Sequence, residues 1–377
     1  MMRVAIVIDS LSVGGAQRLI SAYASNAAAH DLSPVIITLR QGGAPFILDS
    51  IQAAGIRVIT LQAGSLFNVW RLRNLVKTLQ NEKVDLVQTH LVYANILGTL
   101  AAHMAGIPVI ATLHSIAVAD GWKSRFLKVI ENFVLRKYAT CVLAVGQVVA
   151  DINEGNYGRR RICVIPNGIP VPQSPQDQER ERLRREITGD ASDSIIITVG
   201  RFARAKGYED MIQAFHLLRQ KDPNPKLVMV GSGTSADTIR SQIQDLDLDQ
   251  SVILTGERED VYQLLALSDV YASSSHREGL PLAVLEAMMA GLPVVATSVG
   301  DIPNVVTKET GVLVPPHHPE LLAAALEDLL RDPQKRRSMG QAAYQRAMNE
   351  YSVDAWMKKH VALYHEVLSS NGHGQRR

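Results

Sequence analysis

A chain of 377 residues, 46% of them hydrophobic, holds more than one core usually serves and sets the expectation of two domains. Aromatic residues are only 5%, with Ala, Val, Ile and Leu carrying the apolar content, which argues against a nucleic-acid stacking surface and for parallel sheets covered by helices. Residues 1–168 carry 16 Lys and Arg against 9 Asp and Glu, the remainder 23 against 28, so a partner with anionic character, such as a membrane or a phosphate-bearing acceptor, would suit the first half alone; ordinary scatter of surface charge is the competing reading.

The first strand pattern enters at Val4 and runs to Asp9 with no apolar signal region before it. No later run reaches the roughly 18 to 20 apolar residues of a membrane span, so a cytoplasmic protein is expected. Val- and Ile-rich runs recur at 34–39, 57–61, 84–89, 108–114, 141–146 and 162–168, most of them separated by amphipathic segments of helix length. Such alternation means βαβ units and a parallel sheet. Cys141 and Cys163 are too few for a disulfide framework and read as buried thiols, neither of them catalytic. Pro170-Val-Pro-Gln-Ser-Pro and a charged stretch to Glu186 form a stiffened connection leading into a polar helix. The strand pattern then restarts at 194–200, 226–232, 252–256, 270–275, 293–298 and 311–315. Two doubly wound α/β domains follow, 1–168 and 169–351. After Pro333 two helices are expected, one to about Glu350 and one over 352–369 with Ser352 as N-cap, before a disordered tail at 370–377.

Ligands of open parallel sheets bind beyond the carboxyl ends of strands, so the residues just after each strand are the candidates. Gly14 and Gly15 open a helix directly after the first strand, where backbone amides can approach a phosphate; a tight structural turn is the alternative, and the third glycine of a dinucleotide fingerprint is missing. Gly200-Arg-Phe-Ala-Arg-Ala-Lys-Gly207 places cations between a strand and a helix, enough to neutralise a diphosphate without a metal ion. The strongest segment is Glu278-Gly-Leu-Pro-Leu-Ala-Val-Leu-Glu286. Pro281 suits a first helical position, Gly279, Leu280, Pro281 and Leu282 would form an anion seat, and Glu286 sits among apolar neighbours where a carboxylate needs partners such as ribose hydroxyls. His114 closes the strand pattern at 108–114 and could hydrogen-bond a sugar or phosphate; a structural role is the alternative, and His90 shares that ambiguity. The segment 122–139 mixes Lys123, Arg125, Lys128, Arg136 and Lys137 with Trp122, Phe126, Ile130, Phe133 and Leu135, which suits either an anionic membrane surface or an ordinary packed helix. Asp245-Leu-Asp-Leu-Asp249 falls away from the ligand edge and reads as solvent-facing acid.

Taken in order, Gly14-Gly15, Pro166-Asn-Gly-Ile169, Gly200-Arg201 with Lys206-Gly207, Glu278 and Glu286 with seven residues between, and Ala296-Thr-Ser-Val-Gly-Asp-Ile-Pro303 resemble the retaining glycosyltransferases of family 4 over about residues 3 to 350. The resemblance implies the GT-B fold, two Rossmann-like domains facing a cleft, with an N-terminal acceptor domain joined by the last helix and a C-terminal domain for the donor. It implies a nucleotide-diphosphate sugar (UDP or GDP) as donor, a saccharide or lipid-linked acceptor in polysaccharide, lipopolysaccharide or glycolipid synthesis, and neither cofactor nor metal nor nucleic acid. The enzyme would work in the cytoplasm or peripherally on the inner membrane face. In that scheme Arg201 and Lys206 clamp the diphosphate, Glu286 binds the ribose, Glu278 contacts the donor sugar, Gly15 approaches the phosphates and His114 assists near the sugar. Gly300-Asp301-Ile-Pro-Asn304 departs from the Gly-Gly-Ile-Pro-Glu common in similar members. A nucleotide-sugar epimerase on a similar two-domain scaffold is the alternative function.

Overall fold

A computed structural model describes residues 1–12, 14–61, 68–114, 121–158, 162–171, 177–190, 193–222 and 224–372. The centre of the proline-rich connection (172–176) and the last five residues of the expected tail lie outside these. All thirteen expected strands form: β1 (Met2–Ile8), β2 (Leu32–Thr38), β3 (Arg57–Thr60), β4 (Leu86–His90), β5 (Val109–Leu113), β6 (Cys141–Ala144), β7 (Ile162–Val164), β8 (Ile195–Val199), β9 (Lys226–Val230), β10 (Val252–Gly256), β11 (Val270–Ser273), β12 (Val294–Thr297) and β13 (Gly311–Val314). Their near-continuous Val and Ile runs suit strands covered by helices on both faces. β4 and β5 are buried along their whole length.

The chain divides into two units, one comprising Met1–Pro170 with Val353 onward and the other Val171–Ser352, so the divisions fall after 170 and 352 rather than after 168 and 351. The first unit holds a seven-stranded sheet in the order β3-β2-β1-β4-β5-β6-β7, with Ile8 of β1 beside His90 of β4. The second holds a six-stranded sheet in the order β10-β9-β8-β11-β12-β13. Every pairing is parallel. Both sheets reverse their strand order once, between β1 and β4 and between β8 and β11. Connections on either side of such a switch run to opposite faces of the sheet, leaving a crevice past the strand ends.

The last helix, Val353–Gly372, completes the first unit. Trp356 stands edge-on to Tyr23 at 6.0 Å between ring centroids and to His360 at 4.6 Å, and the Tyr364 hydroxyl donates to Gln88 of β4. Gly168 lies so close to Trp356 that a Cβ there would run into the indole. This helix runs three residues past the expected end, so residues 370–372 are helical rather than part of a tail. Cys141 is buried, whereas Cys163 on the edge strand β7 is half-buried, with the two Sγ atoms 3.4 Å apart. Asp245, Asp247 and Asp249 all face solvent around the buried Leu248.

Candidate active site

In the second unit two loops converge at the switch point. The first leaves β8 at Gly200, carries the exposed Arg201, turns through a short 3-10 segment at Arg204–Lys206 and enters the helix Tyr208–Arg219. Gly207 makes that entry in the left-handed region (φ 59°), and a Cβ there would strike the Ser274 carbonyl and the His276 ring, so only glycine lets the loop lie this close to the end of β11. The second loop leaves β11 and carries Ser274, Ser275, His276 and Glu278. The His276 N–H donates to the Ala205 carbonyl at 2.8 Å and the Ser274 hydroxyl to the Lys206 carbonyl at 3.1 Å, which fixes the two loops against each other.

That contact brings Lys206 and Glu278 together. The Lys206 Nζ lies 2.5 Å from Glu278 Oε1, which also accepts the Ser275 hydroxyl at 2.7 Å, and neither side chain is far into solvent (26% and 11% exposed). Behind Glu278 the chain passes Gly279 and the buried Leu280 into the helix Leu282–Met289. Pro281 occupies the N-cap rather than the first helical position: the ring fixes φ, here −73°, but leaves ψ free, and at 123° it is extended. Glu286 is buried in the second turn, as its apolar flanks require. Both carboxylates act on buried Tyr271, whose hydroxyl burial pushes well above its ordinary pKa with Tyr208, Glu278 and Glu286 adding to the shift. Gly300 (φ 56°) closes the site, since a Cβ there would strike the Glu278 carbonyl. The next residue, Asp301, is turned inward, with its carboxylate accepting the Asn304 side-chain amide at 2.9 Å and its N–H donating to the Gly279 carbonyl.

The switch point of the first unit has a different character. Gly14 is the extended N-cap of the helix Gly15–Asn26, so the glycine pair opens a helix directly after β1. His90 ends β4 and His114 follows β5, their Nδ1 and Nε2 atoms 2.8 Å apart, a distance at which one ring donates and the other accepts. Burial lowers His114 to about 4, and burial followed by the charges of His114 and His360 holds His90 well below the ordinary imidazole value. His360 is likewise lowered to about 4 by burial, against the pull of its hydrogen bond to the Trp356 carbonyl. The three imidazoles, with Gln88, Thr112 and Asn167, line a cavity of about 10 Å³, room for about one water. Asp9 follows β1 and accepts the Ala94 N–H at 2.7 Å, while burial pushes its carboxyl up to about 6.

The structure brings Lys206 against Glu278, with Arg201 on the same loop as Lys206 and Glu286 in the helix that follows Glu278, while Gly14, Gly15 and His114 stand at the corresponding edge of the first unit. Several residues escaped the sequence. Asp9 was within reach, because it directly follows a strand at the sheet edge. Ser275 was too, because it lies three residues before Glu278 in the same loop; the convergence of Asp210 with His276 and His317 was not, because those partners lie far apart along the chain. Those three residues offer ligand atoms within 4.8 Å of one another and could hold a metal ion.

The description Glycosyltransferase Family 4 matches residues 13–172 and Glycosyl transferases group 1 matches residues 179–346. The chain belongs to the family 4 glycosyltransferases. This glycosyltransferase is 25% identical over 305 residues to N-acetyl-alpha-D-glucosaminyl L-malate synthase of Bacillus anthracis, covering 80% of each chain. It is 28% identical over 264 residues to UDP-Gal:alpha-D-GlcNAc-diphosphoundecaprenol alpha-1,3-galactosyltransferase of Escherichia coli, covering 67% of this chain and 68% of that one. Its backbone superposes on Anabaena HepE, solved with UDP, at a TM-score of 0.85 and 23% identity over 98% of this chain and 100% of that one. The fold of this glycosyltransferase is therefore GT-B. None of these three proteins is described as an epimerase.

Proposed function

We propose that this glycosyltransferase moves a sugar from a nucleoside diphosphate sugar to a hydroxyl of a saccharide or lipid-linked acceptor, with retention at the anomeric carbon and without a metal ion. The observation that carries this reading is the half-buried Lys206–Glu278 pair at the β8/β11 switch, with Arg201 on the same loop and Glu286 buried in the following helix. A cation held against one carboxylate can be shared with an arriving diphosphate, so Lys206 and Arg201 stabilise the charge that builds on the leaving group. The bond from the anomeric carbon to the phosphate oxygen breaks, the acceptor oxygen bonds to that carbon from the same face, and the acceptor's proton passes to the departing phosphate. Glu286 receives the ribose hydroxyls and Glu278 the sugar. UDP is the first base to try, given the UDP complex of HepE and the UDP-Gal donor in the Escherichia coli relative's name.

Incubating the enzyme with UDP-, GDP- and ADP-sugars in EDTA, and reading sugar release and product anomer by proton NMR, tests each part. Slow hydrolysis of one donor class and a retained anomer are expected. An inverted product would remove the same-face step, and strict dependence on added divalent metal would remove the cation clamp.

The acceptor side of the proposal rests on the helix Trp122–Tyr138. Its inner face carries buried Glu131, Val134 and Leu135, and Glu131 is held by Asn95 at 2.7 Å and Lys128 at 2.8 Å. Trp122, Phe126, Val129 and Phe133 recur at spacings of four, three and four and are all at least 60% exposed, which supports a membrane-facing stripe on a helix whose opposite face is packed. Lys123, Arg125, Arg136 and Lys137 are exposed beside it. Apolar rings flanked by lysine and arginine suit the anionic face of a bilayer, where a lipid-linked acceptor would reside. Among the described residues no helix is long and apolar enough to cross a membrane, so the contact proposed is peripheral, on the inner face.

A further inference from the structure

We propose that Asp210, His276 and His317 form a three-ligand site for Zn²⁺ or a similar divalent transition metal, completed by water, which ties the Glu278-bearing loop to two neighbouring elements of its unit. Each ligand comes from a different element: Asp210 from the first turn of the helix Tyr208–Arg219, His276 from the loop after β11, and His317 from the turn preceding the helix Pro319–Arg331. Asp210 Oδ2 is 2.8 Å from His276 Nε2 and 3.7 Å from His317 Nδ1. Metal bonds of about 2.1 Å arranged tetrahedrally put ligand atoms about 3.4 Å apart, between those two distances.

Two imidazole nitrogens and one carboxylate oxygen are a donor set for Zn²⁺, Co²⁺ or Ni²⁺, and a poor one for Mg²⁺ or Ca²⁺, which take oxygen ligands. The arrangement is built into the backbone. His276 is fixed by its N–H bond to the Ala205 carbonyl and by Gly207, which admits its ring. His317 holds a left-handed conformation (φ 63°) that few non-glycine residues adopt, and its ring lies 3.9 Å from that of His276. The His317 side chain is 65% exposed, so it can move to close a spread of up to 4.8 Å among the three ligand atoms without disturbing the core. The ion would stand two residues from Glu278 but takes no part in sugar transfer, which is expected to proceed after chelation.

Calorimetric titration of the chelator-treated protein with ZnCl₂ should show one site per chain, with a rise in Tm that EDTA reverses and that MgCl₂ does not produce. Co²⁺ should give visible d–d absorption of a low-coordinate nitrogen and oxygen site. His317→Ala, on the surface, and Asp210→Asn should each weaken Zn²⁺ binding by about tenfold or more, at least the cost of losing a supporting group around a metal. His318→Ala, whose ring instead meets Glu320 at 2.8 Å, should bind as the parent does. No Zn²⁺ binding by the parent, unchanged affinity in His317→Ala, or an equal loss in His318→Ala would overturn the assignment.

Discussion

The two units share one strand order around their switch points and yet place opposite kinds of group there. Past β8 and β11 the groups are charged and paired, Lys206 against Glu278, with the exposed Arg201 on the same loop as Lys206. Past β1, β4 and β5 the groups are the buried imidazoles of His90 and His360, the half-buried His114 and the half-buried carboxyl of Asp9, all displaced toward their neutral forms. The same strand order around the switch therefore carries a fixed ion pair in one unit and uncharged hydrogen-bonding groups in the other. The difference arises from depth. A loop that reaches the surface keeps its ions hydrated or paired, whereas side chains packed against a returning helix lose water and with it their charge.

The largest effect should come from discharging the second unit. Lys206→Ala and Arg201→Ala should each reduce turnover by roughly 10² or more, the usual cost of losing one preorganised charge at a developing anion. Lys206→Ala should also lower Tm, because it strands Glu278 without its cation, while Arg201→Ala should leave Tm unchanged. Full turnover in the double variant would end the contrast between the two edges.

Acid should break the first unit's side of the comparison. His360 folds with a pKa near 4 against 6.5 unfolded, so between these values the unfolded chain binds more protons and stability rises with pH. That contribution is complete above about pH 6.5 and is lost as pH falls toward 4, amounting to about 2 kcal/mol for His360 at pH 5. His114 and His90 act in the same sense. Asp9 opposes them: with a folded pKa of about 6 against 3.8, the folded chain binds more protons there and gains stability on acidification. Three histidines outweigh one aspartate, so urea denaturation should show a net loss from pH 7.5 to 5, and His360→Gln should flatten that slope. An unaltered slope in this variant would remove His360 from the account.

The two glutamates sharpen the comparison within the second unit. Glu286→Gln should weaken free-nucleotide binding by roughly tenfold, since an amide accepts with one oxygen where a carboxylate accepts with two. Glu278→Gln should lower turnover more than donor affinity. Calorimetry with free nucleotide and with intact nucleotide sugar separates them, and parental nucleotide affinity in Glu286→Gln would show that this residue does not hold the ribose. The smallest effect expected is at the surface. Phe126→Glu with Phe133→Glu should reduce sedimentation with anionic vesicles several-fold while leaving turnover on a soluble acceptor unchanged, and equal sedimentation with zwitterionic vesicles would remove the electrostatic part of the membrane proposal.

The strands were legible because parallel strands covered on both faces read as short Val and Ile runs, and even the four-residue β6, β12 and β13 stood out between helical segments. Boundaries were less so. Pro281 fell one position from where a helix-start rule puts it, and the last helix ran through three polar residues that composition marks as tail. The donor-side candidates were visible because glycines, cations and carboxylates sit within single loops. What no local pattern could show is convergence: Lys206 and Glu278 are 72 positions apart, His90 and His114 are 24 apart, and the Asp210, His276 and His317 cluster draws on three separate elements. The basic helix was ambiguous for another reason, since whether Phe126 and Phe133 face the core or solvent depends on which side Glu131 anchors.

The last helix also orders events during synthesis. The aromatic ring set that closes the first unit takes Tyr23 from the start of the chain and Trp356, His360 and Tyr364 from its end, with the whole second unit between. At typical ribosomal speeds the stretch from Pro170 to Val353 occupies roughly ten to forty seconds, during which β1 to β7 exist without the helix that covers Tyr23 and Gln88. The second unit, continuous in sequence, can finish first. The nascent first unit must wait with Tyr23 and Gln88 uncovered, so a ribosome stalled before Val353 should yield chains that bind chaperones through the face this helix covers rather than through the second unit.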